Sequence, residues 1–257
     1  MYAFGFDRLG RRTIRFVTEL GEVSLLLANV GRSTYRLYRD RKLVFEQMAH
    51  IGVDSLPLVL IIGLFTGMVT AWQAAYQFKG LISFSLIGGA VSRAIFIELG
   101  PVLTGIVIAG RVGASIAAEI GTMRVTEQID ALESMAIDPV RYIAMPRFIA
   151  SILMMPILVV FANAIALCGA FLVSNFFLDL TRETFFGSMK RFFDTKDVVS
   201  GMVKSLFFGA STAILGCHIG FKTSGGAEGV GLSTIRAFVI SSAVILILDY
   251  TLWTIIF

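Results

Sequence analysis

The chain has 257 residues, of which 56% are hydrophobic and only 16% charged, with a mean hydropathy of +0.81 and a formal net charge of +4. Soluble domains carry about 25% charged residues, so this composition argues against an ordinary soluble enzyme or nucleic-acid-binding protein and indicates an integral membrane protein. The apolar runs are continuous rather than alternating, which argues against a transmembrane β-barrel and favours a helical bundle.

The first 50 residues are basic, with apolar residues interspersed. They hold nine Lys and Arg residues against five acids, the basic ones being Arg8, Arg11, Arg12, Arg15, Arg32, Arg36, Arg39, Arg41 and Lys42. Such a segment binds an anionic leaflet through both charge and apolar burial. We therefore expect residues 1–50 to form an amphipathic interfacial segment, followed by a transmembrane domain over 51–257.

Five stretches approach or exceed the roughly 20 apolar residues that a membrane-spanning helix needs. They are residues 51–71, 94–118, 148–178, 198–221 and 237–257. The mixed stretch 79–97 is predicted to be a re-entrant or interfacial connection. The glycine-rich stretch 220–231 lacks the residue order of a phosphate-binding loop, and we interpret it as a flexible connector.

The distribution of basic residues predicts the orientation, since cytoplasmic segments carry an excess of Lys and Arg. The N-terminal arm is therefore placed in the cytoplasm, together with 119–147 and 222–236, whereas 72–93 and 179–197 face outward. The four basic residues in 179–197 oppose this assignment. The second span has small residues four apart, at Gly105/Ala109, Gly110/Ala114 and Gly113/Ala117, which predicts close helix packing either within one bundle or against a second copy.

Residues 118–142 are acidic, with five carboxylates and two arginines between two apolar spans. The apolar residues Val125, Ile129, Leu132 and Ala136 share one helical face. The acids Glu127, Asp130 and Glu133 lie on the opposite face, and Asp138 precedes the proline that ends the pattern. We predict a short cytoplasmic helix over about 122–139. An anionic leaflet would repel it, so its expected partner is a protein; the alternative is a solvated helix without one.

The sequence "ELGPVLTGIVIAGRVGASIAAEIGTMRVTEQIDALESMAIDP" (98–139) resembles the MlaE (YrbE) permease family. The likeness rests on ELGP, AGR-x-GA, AEIG and TEQIDAL, and the remainder of the chain agrees in length and span count. Family members often carry a basic residue just before ELGP, where this chain has Ile97. Headgroup contacts are therefore expected to differ from those of relatives.

The resemblance implies a homodimeric permease subunit of an ABC transporter in the inner membrane of a Gram-negative bacterium. Its cargo would be phospholipid moved between the inner and outer membranes, which maintains outer-membrane asymmetry. Its partners would be a cytoplasmic ATPase pair that binds ATP and Mg, a STAS-domain protein and a periplasmic hexamer of MCE domains. No cofactor, catalytic residue or nucleic acid is expected in this chain itself. The helix at 126–138 would be the coupling helix that docks on the ATPase, with Glu127, Ile129, Asp130, Leu132, Glu133 and Asp138 as candidate contacts.

Charged residues inside apolar spans are costly and are functional candidates by default. We expect Lys204 and Arg93 to attract the lipid phosphate and Glu98 to pair with a basic group; alternatively these charges close the bundle. Lipid tails are predicted to contact residues spaced four apart on the first span, either as tail contacts or as ordinary packing. These residues are Leu64, Met68, Trp72 and Tyr76.

Arg111 and Glu119 lie eight residues apart toward the cytoplasmic end of the second span, and we expect them to serve helix packing or a gate. Asp249 is expected to hydrogen-bond a neighbouring helix. The residues give no support for a metal site. Two other functions remain open from the sequence. One is a secondary carrier coupled to protons through Glu98, Glu119 and Asp249, and the other is a scaffold that holds an MCE ring without transport.

Overall fold

The structure, a computed structural model, describes residues 3–36, 40–79 and 84–256, with side chains from Thr13 onward except those of Arg15, Phe16 and Arg36. All regular elements in these ranges are helical, which confirms the predicted all-α membrane class. The basic side chains expected at positions 8, 11, 12, 15, 36 and 39 lie outside the described residues. The interfacial location of the N-terminal arm stays a prediction.

The N-terminal arm consists of α1 (Ala3–Ser33), a helical turn (Thr34–Arg36) and α2 (Arg41–Gly52). The remaining helices are α3 (Leu56–Phe78), α4 (Ile87–Ala94), α5 (Gly100–Ile108), α6 (Ala114–Val125), α7 (Gln128–Ser134), α8 (Met145–Phe177), α9 (Arg182–Phe192), α10 (Thr195–Phe221) and α11 (Gly226–Ile256). Wider π-helical turns join α4 to α5 (Ile95–Leu99), join α5 to α6 (Ala109–Gly113) and precede α8 (Val140–Ala144).

Five helical runs of the described chain are long and apolar enough to cross a membrane, as predicted. They are Arg41–Phe78, Phe84–Val125, Val140–Phe177, Thr195–Phe221 and Gly226–Ile256. Two expected connections are corrected. Residues 84–97 continue into the second run instead of forming a separate re-entrant segment, and residues 226–231 already belong to α11, so the connector is much shorter than 220–231. In both places the sequence contains glycines that suggested a loop, but these glycines lie within helices.

Helices α3 and α8 pack with their backbones in close approach. A Cβ added at Gly67 would lie 1.8 Å from the carbonyl oxygen of Ala166, and one added at Gly169 would lie 2.3 Å from that of Leu64. Small residues at this spacing allow such an approach, because any side chain would push the helices apart. The buried face of α3 is a row of such residues, namely Gly63, Gly67, Ala71 and Ala75.

The small residues of the second span also pack inside this chain. Gly105 faces Phe208 and Ile245, and Gly113 lies against Thr212. Their neighbours are thus α10 and α11 of the same bundle. Packing within one bundle therefore accounts for the small residues spaced four apart, for which the sequence had also allowed packing against a second copy of the chain.

Replacing Gly67 by alanine tests the α3–α8 contact. The added methyl group must displace backbone, so we expect G67A to lose about 1–3 kcal/mol of unfolding free energy, the usual cost of overpacking. Thermal unfolding in detergent measures it. Gly187→Ala is the matched control, since nothing lies within 4 Å of its added Cβ; an unchanged melting temperature for G67A would contradict the contact.

Candidate functional site

A cluster of three charges around a buried lysine joins the second, fourth and fifth spans. The Nζ of Lys204 lies 2.8 Å from Oε1 of Glu98 and 2.7 Å from Oδ1 of Asp249, and it is 5.2 Å from the centre of the Trp253 ring. The Lys204 side chain has no exposed surface, whereas that of Glu98 is 36% exposed. Asp249 thus forms an ion pair with a neighbouring helix; the hydrogen bond expected of it stays a prediction. A buried ammonium needs such partners, because an unpaired charge there would be very costly.

The ELGP motif shapes this cluster through its proline. Pro101 has no N–H to donate to the carbonyl of Ile97 four residues earlier, so that carbonyl lacks its ordinary helical partner. It instead lies 3.4 Å from Nζ of Lys204 as an acceptor. The π-helical turn Ile95–Leu99 accommodates the change. Gly100 completes the motif, since a Cβ there would lie 1.7 Å from Oδ1 of Asn163.

Arg93 forms a separate ion pair nearer the end of the bundle that carries α9. Its Nε lies 2.9 Å from Oδ2 of Asp197, whose side chain is only 3% exposed, while the arginine itself is half exposed. The geometry therefore leaves part of Arg93 accessible to a phosphate but encloses Lys204 between carboxylates. For Lys204 and Glu98 it favours the alternative that the charges close the bundle. Their lipid contacts stay predictions.

A groove of about 680 Å³ lies between α3 and the α4–α5 segment. Its α3 wall combines apolar side chains, including Ile61, Phe65 and Val69, with the polar Gln73 and Gln77. Leu99 of the ELGP motif lines the opposite wall. This size and mixture match those of small-molecule sites, which are mainly apolar with a few polar groups.

The predicted tail-binding residues lie on another face of α3. Among the lining residues that the structure describes, none is Leu64, Met68, Trp72 or Tyr76. Met68 packs in the apolar core with α8 residues, and Trp72 makes an edge contact with Phe177 at 5.4 Å. The row Gly63, Gly67, Ala71 and Ala75 could have signalled this, because a row of small residues marks the side that packs on a helix. The tail-binding role of the four predicted residues stays untested.

Arg111 and Glu119 belong to a polar network at the end of the bundle that carries α7. Arg111 donates to Oγ of Ser55 at 2.5 Å, and Glu119 pairs with Arg147 at 2.7 Å. His50 links the two halves, since its Nε2 lies 3.6 Å from Glu119. The network ties the first three spans together, which fits the predicted packing role.

Residues 122–139, predicted to form the coupling helix and called the coupling segment below, are less helical and more bent than predicted. In place of one helix over 122–139, α6 runs to Val125 and α7 covers only Gln128–Ser134. Glu127 between them has a left-handed backbone with φ of 60°. Such conformations are uncommon for residues other than glycine and occur where the chain turns sharply. The side chain of Asp138 accepts a hydrogen bond from the backbone N–H of Val140 at 2.9 Å, just before the next helical run.

The apolar face of α7 packs against its own chain. Ile129 is 3% exposed within the main core, and Leu132 packs on that core. These two residues therefore hold the segment in place and do not offer anchors to a separate subunit in this conformation. The exposed side carries Glu127, Glu133 and Asp130, the last of which pairs with Arg124 at 2.5 Å. Their contact with an ATPase stays a prediction.

Removing the buried ammonium tests the charge cluster. Lys204→Met leaves Glu98 and Asp249 without their cation, and we expect a loss of about 3–5 kcal/mol in unfolding free energy. Adding Glu98→Gln and Asp249→Asn to this variant should restore most of the stability, as measured by thermal unfolding in nanodiscs. Lys222→Met, which removes the exposed lysine paired with Glu22, is the control and should change little. Equal melting temperatures for K204M and the control would contradict the role of the cluster.

Comparison with known proteins assigns the sequence of this chain to a family. The family model described as "Permease MlaE" matches residues 44–255. A "Probable ABC transporter permease protein" of Rickettsia felis is 41% identical over 98% of this chain and 97% of its own length. The "Intermembrane phospholipid transport system permease protein MlaE" of Haemophilus influenzae is 35% identical over 97% of this chain and 96% of its own length.

A chloroplast relative is also similar. The protein TRIGALACTOSYLDIACYLGLYCEROL 1 of Arabidopsis thaliana is 38% identical over 80% of this chain and 59% of its own length. The match of the family model across the ELGP motif, the charge cluster and the coupling segment confirms the resemblance expected from residues 98–139. This multi-pass membrane chain belongs to the MlaE permease family.

Proposed function

We propose that this chain is the permease subunit of an ATP-driven ABC transporter that moves phospholipid between the inner and outer membranes of a Gram-negative bacterium. In this role it helps to maintain the lipid asymmetry of the outer membrane. The observation that carries the proposal is family membership over residues 44–255 together with an apolar groove in the membrane-spanning part of the bundle. The relative from Haemophilus influenzae is named for phospholipid transport.

The groove has the chemistry that an acyl chain requires. Ile61, Phe65 and Val69 supply apolar surface, and all three are strongly exposed when the chain is considered alone. A tail lying here would cover that surface, while Gln73 and Gln77 toward the end of α3 offer hydrogen bonds to glycerol or phosphate oxygens. We therefore place the lipid tails in this groove rather than along the Leu64–Tyr76 face. A second copy of the chain facing the groove would close it.

The motor of the proposed transporter is a separate polypeptide. The sequence contains no Walker-type loop, so ATP and Mg would bind to a cytoplasmic ATPase that meets the exposed acids of the coupling segment. The remaining proposed partners are a STAS-domain protein on the cytoplasmic side and a hexamer of MCE domains on the periplasmic side. These partners follow from the resemblance to the family.

The charge geometry bears on the two alternative functions. A proton-coupled carrier needs carboxylates that can exchange protons with the transport path. Here Glu98 and Asp249 are engaged by Lys204, and Glu119 is engaged by Arg147. A scaffold that moves nothing would not need a groove of about 680 Å³ in the membrane region. Both observations favour the ATP-driven permease.

Lipid transfer by the purified complex in liposomes tests the proposal. We expect transfer that requires ATP and does not proceed with a proton gradient alone. Val69→Trp fills the groove and should lower the transfer rate by about tenfold, a loss of about 1.4 kcal/mol in transition-state stabilisation. Transfer driven by the gradient alone would favour the carrier, and no transfer under any condition would favour the scaffold.

Ile247→Trp is the matched control for the groove variant. Val69 and Ile247 are both 62% exposed, but Ile247 lies on α11 away from the groove. The control should transfer lipid at the wild-type rate. Equal loss in both variants would contradict the groove as the lipid path, because the added bulk would then act irrespective of position.

Charge reversal tests the coupling segment. We expect Glu127→Lys with Glu133→Lys to reduce the amount of ATPase that co-purifies, because both exposed carboxylates would meet the partner with the wrong sign. The amount of ATPase bound per permease is the measurement, repeated at higher salt to show screening. Glu228→Lys changes the same charge at the inner end of α11 and should have no effect. Full retention by the double variant would exclude these acids from the contact.

A further inference from the structure

Helix α9 has one exposed face that the proposed function does not use. Its other side is packed inside the protein, where Phe185 and Ser188 are buried. The exposed residues form two rows with a spacing of four, which makes them neighbours on the helix surface; the rows are Arg182–Phe186–Lys190 and Glu183–Gly187–Arg191. We call these six residues the α9 face. A cavity of about 600 Å³ lies on it and is lined by all of them except Arg191.

Contacts with α4 hold α9 against the second span. The backbone N–H of Gly89 donates a hydrogen bond to Oγ of Ser188 at 3.0 Å. A Cβ added at Gly88 would lie 2.2 Å from the carbonyl oxygen of Phe185, so the two backbones approach closely. The α9 face therefore has a fixed orientation that does not depend on a ligand.

Exposed aromatic residues mark the level of a membrane–water interface at this end of the bundle. Trp72, near the end of α3, is exposed, and its ring contacts that of Phe177, the last residue of α8. Tyr76, one turn further along α3, is also strongly exposed. Exposed Trp and Tyr residues are enriched where a protein meets the headgroup layer. Helix α9 begins at Arg182, shortly after this aromatic level.

The lengths of the second and third spans agree with this placement. The runs Phe84–Val125 and Val140–Phe177 have 42 and 38 residues. At about 1.5 Å per residue they are about 63 and 57 Å long, whereas the hydrocarbon core is about 30 Å thick. Both runs therefore extend beyond the core. Helix α9 packs on α4, which lies in the first part of one run, and its rings contact Phe171 in the last part of the other.

The basic side chains of the α9 face are available to a ligand. Within the part of the chain that the structure describes, no carboxylate forms an ion pair with Arg182, Lys190 or Arg191. The guanidinium carbons of the two arginines lie 6.0 and 5.9 Å from the ring centres of Phe186 and Phe192. Basic and aromatic side chains are combined in this way in helices that lie in the headgroup layer.

The neighbouring acids lie off the α9 face. Asp197 is buried and pairs with Arg93 at 2.9 Å. Asp194 accepts a hydrogen bond from a backbone N–H in the first turn of α10 at 2.9 Å, and Asp179 lies in the turn before α9. On the face itself three basic residues meet one acid, Glu183. This excess of positive charge complements an anionic leaflet.

We propose that the α9 face binds the headgroups of anionic phospholipids in the leaflet at this end of the bundle. Arg182 and Lys190 bind phosphate oxygens, and Phe186 between them contacts the upper part of the acyl chains. Phosphatidylglycerol fits the excess of positive charge better than phosphatidylcholine, because its phosphate is not balanced by an ammonium group. The inference goes beyond the proposed function, since it concerns lipid bound around the protein and not the cargo of the groove.

Quenching of a fluorophore on α9 by spin-labelled lipid tests the proposal. Gly187→Cys attaches the fluorophore to the α9 face, where nothing lies within 4 Å of an added Cβ, and Cys168→Ser removes the exposed native thiol. The full chain is placed in phosphatidylcholine nanodiscs that contain phosphatidylglycerol or phosphatidylcholine with a nitroxide near the top of one acyl chain. We expect spin-labelled phosphatidylglycerol to reach half-maximal quenching at an about fivefold lower mole fraction, the effect of about one basic residue near an anionic surface.

Arg182→Gln with Lys190→Gln should abolish the preference, so that both lipids quench at equal mole fractions. Thermal unfolding should be unchanged, since both side chains are exposed. Lys222→Gln with Arg236→Gln is the matched control, because it removes two exposed basic residues that follow α10 and lie in the first half of α11. The control should keep the preference for phosphatidylglycerol.

Three results would overturn the lipid site. The first is a preference that survives in R182Q/K190Q, and the second is an equal loss in the control. The third is a fluorophore that neither lipid quenches, because the α9 face would then lie in water or against another protein. Quenching is measured without ATP or lipid transfer, so a failure of the transport assay would refute the proposed function and leave this result unaffected.

Discussion

The pairing of one fully buried ammonium with two carboxylates is the constraint on which the membrane part of this protein depends. Lys204 on α10 forms ion pairs with Glu98 of the second span and with Asp249 of the fifth span. A charge in the membrane interior is tolerated only with partners in place. The three spans can therefore associate in few arrangements, and the irregular backbone at Pro101 adds the Ile97 carbonyl to the same site.

The second span connects this constraint to the rest of the molecule. One of its faces carries Glu98 toward the charge cluster, and Leu99 next to it lines the groove. Further along, Arg111 and Glu119 enter the polar network that holds the first and third spans through Ser55 and Arg147. The run then ends at Val125, and the left-handed Glu127 separates it from α7. One helical run with two π-helical turns thus forms one wall of the groove, contributes to the polar network and leads into the coupling segment.

The coupling segment shows how burial changes the meaning of an amphipathic pattern. The predicted apolar face is present, but its residues Ile129 and Leu132 pack on the core of the bundle and attach α7 to it. Because these side chains are packed in the core, α7 cannot move without displacing the residues beneath it. The exposed face of α7 is acidic, and beyond α7 an ion pair between Asp40 and Arg141 joins the N-terminal arm to the start of the third span.

The sequence by itself determined the all-α membrane class, the five spans, the family and the presence of an acidic segment between the second and third spans. These follow from hydropathy, helical periodicity and local motifs, which depend on residues close together in the chain. Only the tertiary structure decided that Lys204 is enclosed and that Ile129 points inward. It also decided that the groove is lined by the face of α3 that carries Phe65 and Val69, and not by the face that carries Leu64 and Trp72. Each of these features depends on which helices pack against one another. That packing is fixed by the glycine contact between α3 and α8 and by ion pairs between residues about 100 or more positions apart, and a single sequence carries no local signal for such contacts.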